Sequence, residues 1–117
     1  MVPPSPGAVV LIRFPFSDLS QTKLRPAAVL ANTGRTDWLL CQFTSSPYGD
    51  SQAIPITDTD FRTGALRLPS YARPGRLFTA SENLIVGHVG QLTMDAFARL
   101  IDAVVTILRD AQTKAGA

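Results

Sequence analysis

A chain of 117 residues, 45% of them hydrophobic, can bury one hydrophobic core, and the sequence predicts a single domain over residues 1–117. Its 11 basic and 9 acidic residues give a formal charge of +2, which is too small to indicate nucleic-acid binding through bulk electrostatics. Because the sequence contains neither the roughly 20 apolar residues of a membrane span nor the charged start of a secretory signal, we expect a cytoplasmic protein with no membrane contact.

The first part of the chain predicts one strand between two irregular segments. Three prolines indicate a flexible tail over residues 1–6, so the fold should begin near Gly7. The β-branched run 8–14 is typical of a strand that is buried on most of both faces. From Pro15 to Lys23, polar and turn-forming side chains predict a long, exposed hairpin loop.

Three further strands are predicted between residues 25 and 57. The second strand, 25–31, contains Pro26, which has no N–H to donate and should lie at the first residue or at an edge. The fourth, 53–57, contains Pro55 and should be an edge strand for the same reason. The third, 38–44, places four side chains on one face by its two-residue period: Trp38, Leu40, Gln42 and Thr44.

The next part of the chain predicts a final strand after a weakly patterned segment. Residues 70–79 alternate weakly between apolar and polar side chains, in a pattern broken by Pro74. Residues 83–92 indicate a strand, in which Gly87 and Gly90 suggest a bulge or a close approach of two backbones.

One amphipathic helix is predicted at the end of the chain. Thr93 is a good N-cap for a helix over residues 94–110, whereas residues 112–117 lack an apolar pattern and should fray. The apolar side chains of the helix fall at helical spacing on one face: Phe97, Leu100, Ile101, Val104 and Leu108. Several short strands followed by one helix predict a mainly β (α+β) fold, a small barrel or highly curved sheet that the helix caps.

Common enzyme constellations are missing from the sequence. With one histidine, His88, and one cysteine, Cys41, an ordinary zinc site is excluded, and no glycine-rich phosphate loop is present. We therefore expect no metal and no cofactor. His88 lies between glycines and is more typical of a structural or surface residue than of a catalytic one. Cys41 lies in an apolar run and should be a buried small hydrophobe that forms no disulfide.

Lys23 and Arg25 form a basic pair where a polar loop enters a strand. A guanidinium at a strand start can bind a phosphate with two hydrogen bonds and can stabilise negative charge in a transition state. The alternative is a surface arginine paired with Asp18. Four more arginines occur between residues 61 and 82 without an intervening acidic residue, and they form either one basic face or scattered solvated groups: Arg62, Arg67, Arg73 and Arg76.

Several blocks of the sequence resemble the MazF/PemK-type toxins of type II toxin–antitoxin systems. Residues 7–18, which end in Phe-Pro-Phe-Ser-Asp, and residues 23–30 resemble the opening of these toxins. Residues 39–45 resemble the family's strand that ends in Thr-Ser. The resemblance continues through shorter blocks over most of the chain: 60–61, 64–66, 70–73, 76–79 and 89–93.

The resemblance implies an SH3-like barrel with a C-terminal helix, a homodimer, and a cognate antitoxin protein as partner. Characterised members of the family cut single-stranded RNA. The ribose 2′-hydroxyl is the internal nucleophile and leaves a cyclic phosphate and a free 5′-hydroxyl, so no metal or protein nucleophile is required. Carried over by motif, the catalytic arginine of the family is Arg25 and its threonine is Thr44.

The residues of the implied site have different expected roles. Since a guanidinium holds its proton too strongly to exchange it readily, Arg25 should mainly stabilise charge. Thr44 should donate a hydrogen bond to a phosphate oxygen, with help from Ser45. Lys23 should contact the substrate. The general base is unassigned, and Asp18 is either a candidate for that role or a turn-forming aspartate.

The chain departs from the family pattern directly after Ser45. The sequence Ser-Pro-Tyr-Gly at residues 46–49 replaces a basic residue and a Gly-Tyr-Pro-like stretch. Tyr48 is either a residue that stacks on an RNA base or a packing residue. Pro74 and Gly75 also replace an apolar–acidic pair that the family often carries.

Three classes of function compete at this stage. An endoribonuclease toxin has Arg25 together with Thr44 as its signature. A non-catalytic binding module on the same barrel, such as the CcdB-type toxins that poison DNA gyrase, need not keep both residues. A structural SH3-like adaptor should have an aromatic-lined groove, whereas the aromatic residues here are dispersed along the sequence.

Overall fold

One curled antiparallel sheet and one helix make up the part of the chain that the structure describes. This computed structural model describes residues 3–14 and 23–116, without the side chains of Phe14 and Lys23. The elements are β1 (Ala8–Phe14), β2 (Lys23–Gly34), β3 (Asp37–Thr44), β4 (Ile54–Ile56), β5 (Phe61–Gly64), β6 (Ser70–Ser81), β7 (Ile85–Leu92) and α1 (Met94–Ala115). The hairpin loop predicted from Pro15 to Lys23 lies almost entirely outside the described residues. No described helix is long and apolar enough to cross a membrane.

Both faces of the sheet are buried, which explains the nearly continuous apolar run of β1. Ala8 and Val10 belong to one hydrophobic cluster, whereas Val9 between them belongs to a second cluster on the other face. The second cluster also contains Phe43 and, from α1, the fully buried Leu100. The helix therefore packs against this second face, and each fully buried side chain of this size stabilises the fold by about 1.5–3 kcal/mol.

The strand order brings distant parts of the sequence together. The seven strands are ordered β4-β6-β3-β2-β1-β7-β5. β4 pairs only with β6 and lies at one edge, as Pro55 predicted. β5 lies at the other edge, whereas β6 is the second strand from the opposite end. The connection of residues 65–69 between β5 and β6 must therefore cross the open side of the curled sheet.

Pro26 marks the point where β2 and β3 separate. It is not the first residue of its strand, since β2 begins at Lys23, and it pairs with Leu11 on β1. The pairing of β2 with β3, however, starts only at Ala27 and Gln42. Beyond Gln42, β3 keeps only its pairing with β6, its neighbour on the other side. Pro26 is thus an edge residue on the β3 side alone, and we call the separation between residues 24–26 and 43–45 the β2–β3 fork.

The close backbone approach that the sequence suggested at Gly90 is confirmed, and it lies between β7 and β5. Gly90 on β7 is the pairing partner of Gly64 on β5. A Cβ on Gly64 would overlap the carbonyl oxygen of Val89, and Gly64 has a φ of +76°, which favours glycine. The pairing of β7 with β1 also contains two register shifts, as expected for bulges.

The helix begins as predicted and ends later than predicted. The hydroxyl of Thr93 accepts a hydrogen bond from the N–H of Ala96 at 3.1 Å and caps the first turn. The prediction that the helix ends near residue 110 is wrong, because α1 continues to Ala115 through good helix-forming residues. Leu108 was expected on the buried face but is 63% exposed, because the last turns of α1 extend past the core cluster.

The chain before β1 is attached to the sheet. The carbonyl of Pro6 accepts a hydrogen bond from the Gln91 amide at 2.9 Å, and the N–H of Gly7 donates to the carbonyl of Val29 at 2.8 Å. The fold therefore begins near Gly7, as predicted. Pro6, the last residue of the predicted flexible tail, already contacts β7.

Gly64→Ala should destabilise the protein more than Gly49→Ala. Both glycines have positive φ, +76° and +81°, which costs an alanine about 1–2 kcal/mol. A Cβ on Gly49 would meet nothing within 4 Å, whereas at Gly64 the overlap with β7 should add about 1–3 kcal/mol. Urea unfolding of both variants measures the difference. Equal losses would contradict the close packing of β5 against β7.

Candidate functional site

A cavity of about 560 Å³ opens at the β2–β3 fork. This volume is within the usual range of about 300–1,000 Å³ for ligand pockets. Arg25 and Pro26 line it from β2, and Thr44 and Ser45 line it from the end of β3. Further lining comes from β1, from β7, from the start of β6 and from residues 65–68. The cavity therefore exists because two strands that pair over most of their length separate at Pro26.

Arg25 and Thr44 lie on the two arms of the fork. Continuing the register of β2 and β3 two residues beyond Ala27 and Gln42 brings Arg25 opposite Thr44. Directly opposed residues in a paired ladder have Cβ atoms about 4.5–5.5 Å apart. Because the two strands diverge at the fork, the Cβ atoms of Arg25 and Thr44 should be farther apart than this. The structure thus brings together the arginine and the threonine that the resemblance selected.

The hydroxyl of Thr44 closes the turn that follows β3. It donates to the carbonyl of Ser46 at 3.0 Å and accepts from the N–H of Ser46 at 3.1 Å. Local bonds of this kind are typical of threonine at a turn. A hydroxyl proton can rotate to another acceptor, so donation to a substrate oxygen would exchange the bond to the Ser46 carbonyl. The acceptor bond from the Ser46 N–H can persist and hold the side chain in place.

The charged part of the cavity lining is entirely basic. Arg25 is half-buried, and the second cation is the exposed Arg67 from the connection between β5 and β6. No acidic residue is among the described lining residues. The remaining lining is mainly apolar and includes Leu11, Leu66 and Val89. A polyanion with apolar groups fits such a surface, because the arginines attract its negative charges and the leucines contact its apolar groups.

Of the four arginines between residues 61 and 82, only Arg67 lines the cavity. Arg73 is paired with Asp50, and both Arg62 and Arg76 are exposed away from the cavity lining. The sequence showed that these residues form a basic run but did not separate Arg67 from the others. That distinction depends on where the connection between β5 and β6 crosses the sheet.

The other predicted site residues lie at different distances from the cavity. Ser45 lines it, whereas Tyr48 does not. Tyr48 is 97% exposed, so its ring does not pack against the described part of this chain. Lys23 begins β2, two residues before Arg25, and its side chain is outside the described part. Asp18, the candidate base or ion-pair partner, also lies outside the described residues.

Cys41 and His88 are separate from this cavity. The Cys41 thiol is buried and donates a hydrogen bond to the carbonyl of Arg73 at 3.1 Å. Burial outweighs this bond and raises the pKa of the Cys41 thiol to about 12, so it stays protonated and unreactive at neutral pH. His88 is exposed and lines a second cavity, near the start of the chain. Over residues 3–14 and 23–116, no group of three histidine, cysteine or acidic residues could hold a metal ion.

Solved structures with this architecture include the MazF toxins. MazF from Deinococcus radiodurans has a TM-score of 0.72 at 18% identity, with 92% of this chain and 98% of that chain covered. The Mycobacterium tuberculosis toxin MazF-mt6 has a TM-score of 0.68 at 15% identity, with 87% and 96% covered. An endoribonuclease in complex with its cognate antitoxin from a Mycobacterial species has a TM-score of 0.69 at 15% identity, with 92% and 95% covered.

The chain has the MazF fold. This confirms the predicted mainly β architecture, a small curled barrel with a C-terminal helix. No protein-family model and no curated protein matches the sequence. The relationship to MazF is therefore visible in the fold, and the chemistry has to be argued from the cavity at the β2–β3 fork.

Asp50 anchors the loop that follows Thr44 in this MazF fold. Its carboxylate accepts a hydrogen bond from the Nε of Arg73 at 2.7 Å and a second from the N–H of Gln52 at 3.0 Å. The Arg73 bond is the main reason why the pKa of Asp50 is lowered from its ordinary value. The segment that carries Ser45 and Tyr48 is thereby held against β6.

Asp50→Asn should lower the free energy of unfolding by up to about 1 kcal/mol at neutral pH, and this loss should disappear in acid. Because the folded-state pKa is lowered, the carboxylate stabilises the fold fully above its unfolded pKa of about 3.9. That contribution is lost as the pH falls through the folded value. Urea unfolding between neutral and acidic pH should show the two proteins converging below about pH 4.

Asp58→Asn is the matched control, since Asp58 is exposed and belongs to neither of the two ion pairs found in the described residues. It should not reproduce the loss. A gap between wild type and Asp50→Asn that stays constant down to the acid limit would contradict the role of the Asp50 carboxylate.

Proposed function

We propose that this chain is the toxin of a type II toxin–antitoxin system and that it cleaves single-stranded RNA without a metal. The observation that supports this is the cavity at the β2–β3 fork, in which Arg25, Thr44 and Ser45 meet with no acidic residue in the described lining. An arginine beside two hydroxyls suits a phosphodiester, which needs charge neutralisation and hydrogen-bond donors.

In the proposed reaction the RNA supplies its own nucleophile. The ribose 2′-oxygen bonds to phosphorus and the bond from phosphorus to the 5′-oxygen breaks, which leaves a cyclic phosphate and a 5′-hydroxyl. The 2′-hydroxyl proton passes to a base and the departing 5′-oxygen receives a proton. Negative charge on the non-bridging oxygens increases in the transition state, and the planar pair of N–H donors of Arg25 stabilises it.

Thr44 and its neighbours complete the proposed site. The Thr44 hydroxyl turns from the Ser46 carbonyl to a non-bridging oxygen, and Ser45 supplies a further donor beside it. The exposed ring of Tyr48 stacks on a base of the RNA. Lys23 makes an additional phosphate contact, and Asp18 is our candidate for the base that removes the 2′-proton.

The proposal includes protein partners. Among the structures with this fold is an endoribonuclease in complex with its cognate antitoxin. By this analogy we propose that an antitoxin protein neutralises the chain in the cytoplasm and that the toxin is a homodimer. Analytical ultracentrifugation of the purified chain tests the dimer, which should have twice the monomer mass of 12.6 kDa.

Purified protein should cut a long single-stranded RNA in the presence of EDTA, and substitutions at Arg25 and Thr44 should separate charge from geometry. Arg25→Gln should lower the rate about 100-fold or more, because it removes the main stabiliser of transition-state charge. Arg25→Lys keeps the charge without the paired donors and should lie between this variant and wild type. Thr44→Val should lower the rate about tenfold, whereas Thr44→Ser keeps the hydroxyl and most of the activity. Cleavage rates measured on gels give the comparison.

Two controls define the chemistry. A DNA strand of the same sequence should bind and remain intact, because it lacks the 2′-hydroxyl. The RNA products should accept a labelled phosphate from polynucleotide kinase without prior dephosphorylation, because they carry a free 5′-hydroxyl. RNA that stays intact with wild type would refute the catalytic proposal. If such a protein still arrests cell growth, the non-catalytic toxin is the better description.

A further inference from the structure

We infer that Arg67 is a second phosphate-binding residue of the cavity and that it holds the RNA phosphate next to the one bound by Arg25. This inference rests on the proposed RNA substrate and deepens it. It assigns residues 65–69, the connection between β5 and β6, as a second wall of the binding site. The first wall is the β2–β3 fork.

The order of the strands in the sheet determines where this second wall lies. Residues 65–69 cross the open side of the curled sheet, from β5 at one edge to β6 near the other. Four of these five residues line the cavity: Ala65, Leu66, Arg67 and Leu68. Arg25 reaches the same cavity from β2. The two arginines therefore meet one ligand from different elements.

The backbone of this wall is fixed at both ends. At its start, Gly64 packs against the backbone of β7 so closely that no Cβ fits. At its end, the hydroxyl of the buried Ser70 donates to the carbonyl of Leu68 at 3.2 Å, and Pro69 restricts the backbone between them. A cation on a segment that is held in this way loses less backbone entropy when it binds a ligand.

The guanidinium of Arg67 has no protein partner in the part of the chain that the structure describes. The two ion pairs found there belong to Arg73 and Arg99, with Asp50 and Asp60. Arg67 is exposed, and the described lining of its cavity contains no carboxylate that could neutralise it. No described carboxylate therefore competes with an anion from solution for this guanidinium.

The surface between the two arginines suits a nucleotide chain better than a single anion. Leu24 and Leu68 stand at the cavity with 50% and 66% of their surface exposed, one on each wall. Apolar side chains beside two cations match a ligand in which sugars and bases separate successive phosphates. An inorganic phosphate ion would use one arginine and leave this apolar surface in water.

Binding and catalysis should separate between the two arginines. Arg25 lies opposite Thr44, where the reacting phosphate is proposed to bind, whereas Arg67 belongs to the other wall. Arg67 should thus contribute equally to the bound substrate and to the transition state, and its removal should raise KM and leave kcat unchanged.

The test measures binding of a single-stranded 2′-O-methyl RNA, which cannot supply the nucleophile, by fluorescence anisotropy over a series of KCl concentrations. Arg67→Gln should bind about tenfold more weakly, since one charge-assisted contact is lost. The slope of log Kd against log salt should fall by about 0.7, which corresponds to one phosphate contact fewer on a single strand. Arg67→Lys should restore the slope. Arg62→Gln, at an exposed arginine of β5 outside the cavity lining, should change neither quantity.

The outcomes distinguish this inference from the proposed function. Wild type that binds but does not cut, with a reduced slope in Arg67→Gln, would refute the nuclease and support Arg67. Wild type that cuts, with unchanged affinity and slope in Arg67→Gln, would overturn the role of Arg67 and leave the nuclease standing. A wild type that does not bind the oligonucleotide would overturn the role of Arg67, and the cleavage assay on unmodified RNA then decides the nuclease by itself. For the cleavable RNA, a fall in kcat at unchanged KM in Arg67→Gln would also overturn the binding role.

Discussion

The separation of β2 from β3 at Pro26 is the constraint on which the candidate site depends. β3 lies between β6 and β2, and it pairs with β6 along most of its length, whereas its pairing with β2 ends at Gln42. The space between the diverging ends of β2 and β3 opens into the cavity. Arg25 and Thr44 line this space, each two residues beyond the last pair of the two strands. This side of the site is thus a consequence of sheet geometry.

A second constraint, the contact of β5 with β7, builds the opposite wall. Gly64 and Gly90 allow the two backbones to approach within a distance that excludes side chains. This contact holds β5 at the edge of the sheet, and the chain must then cross the open side to reach β6. Arg67 lies on this crossing segment and therefore lines the cavity. The same two glycines therefore stabilise the fold and position a cation.

The ion pairs of the described residues engage two arginines away from the cavity. Arg73 is engaged by Asp50 and holds the loop after Thr44 against β6, and Arg99 is engaged by Asp60. Arg25 and Arg67 belong to neither of these pairs and line the cavity to which Thr44 also contributes. A small net charge of +2 is consequently compatible with a strongly basic site, because most of the acidic side chains lie elsewhere.

Features that depend on near neighbours in the chain could be predicted from the sequence. The extent of β1, the cap at Thr93, the edge position of Pro55 and the burial of Cys41 follow from apolar periodicity and from backbone chemistry within a few residues. Arg25 and Thr44 were selected through resemblance to a family. The folded chain was needed to show that Pro26 is an edge residue on one side, that Asp50 engages Arg73, and that Arg67 reaches the cavity. These facts depend on contacts between segments far apart in the chain, which no local pattern encodes.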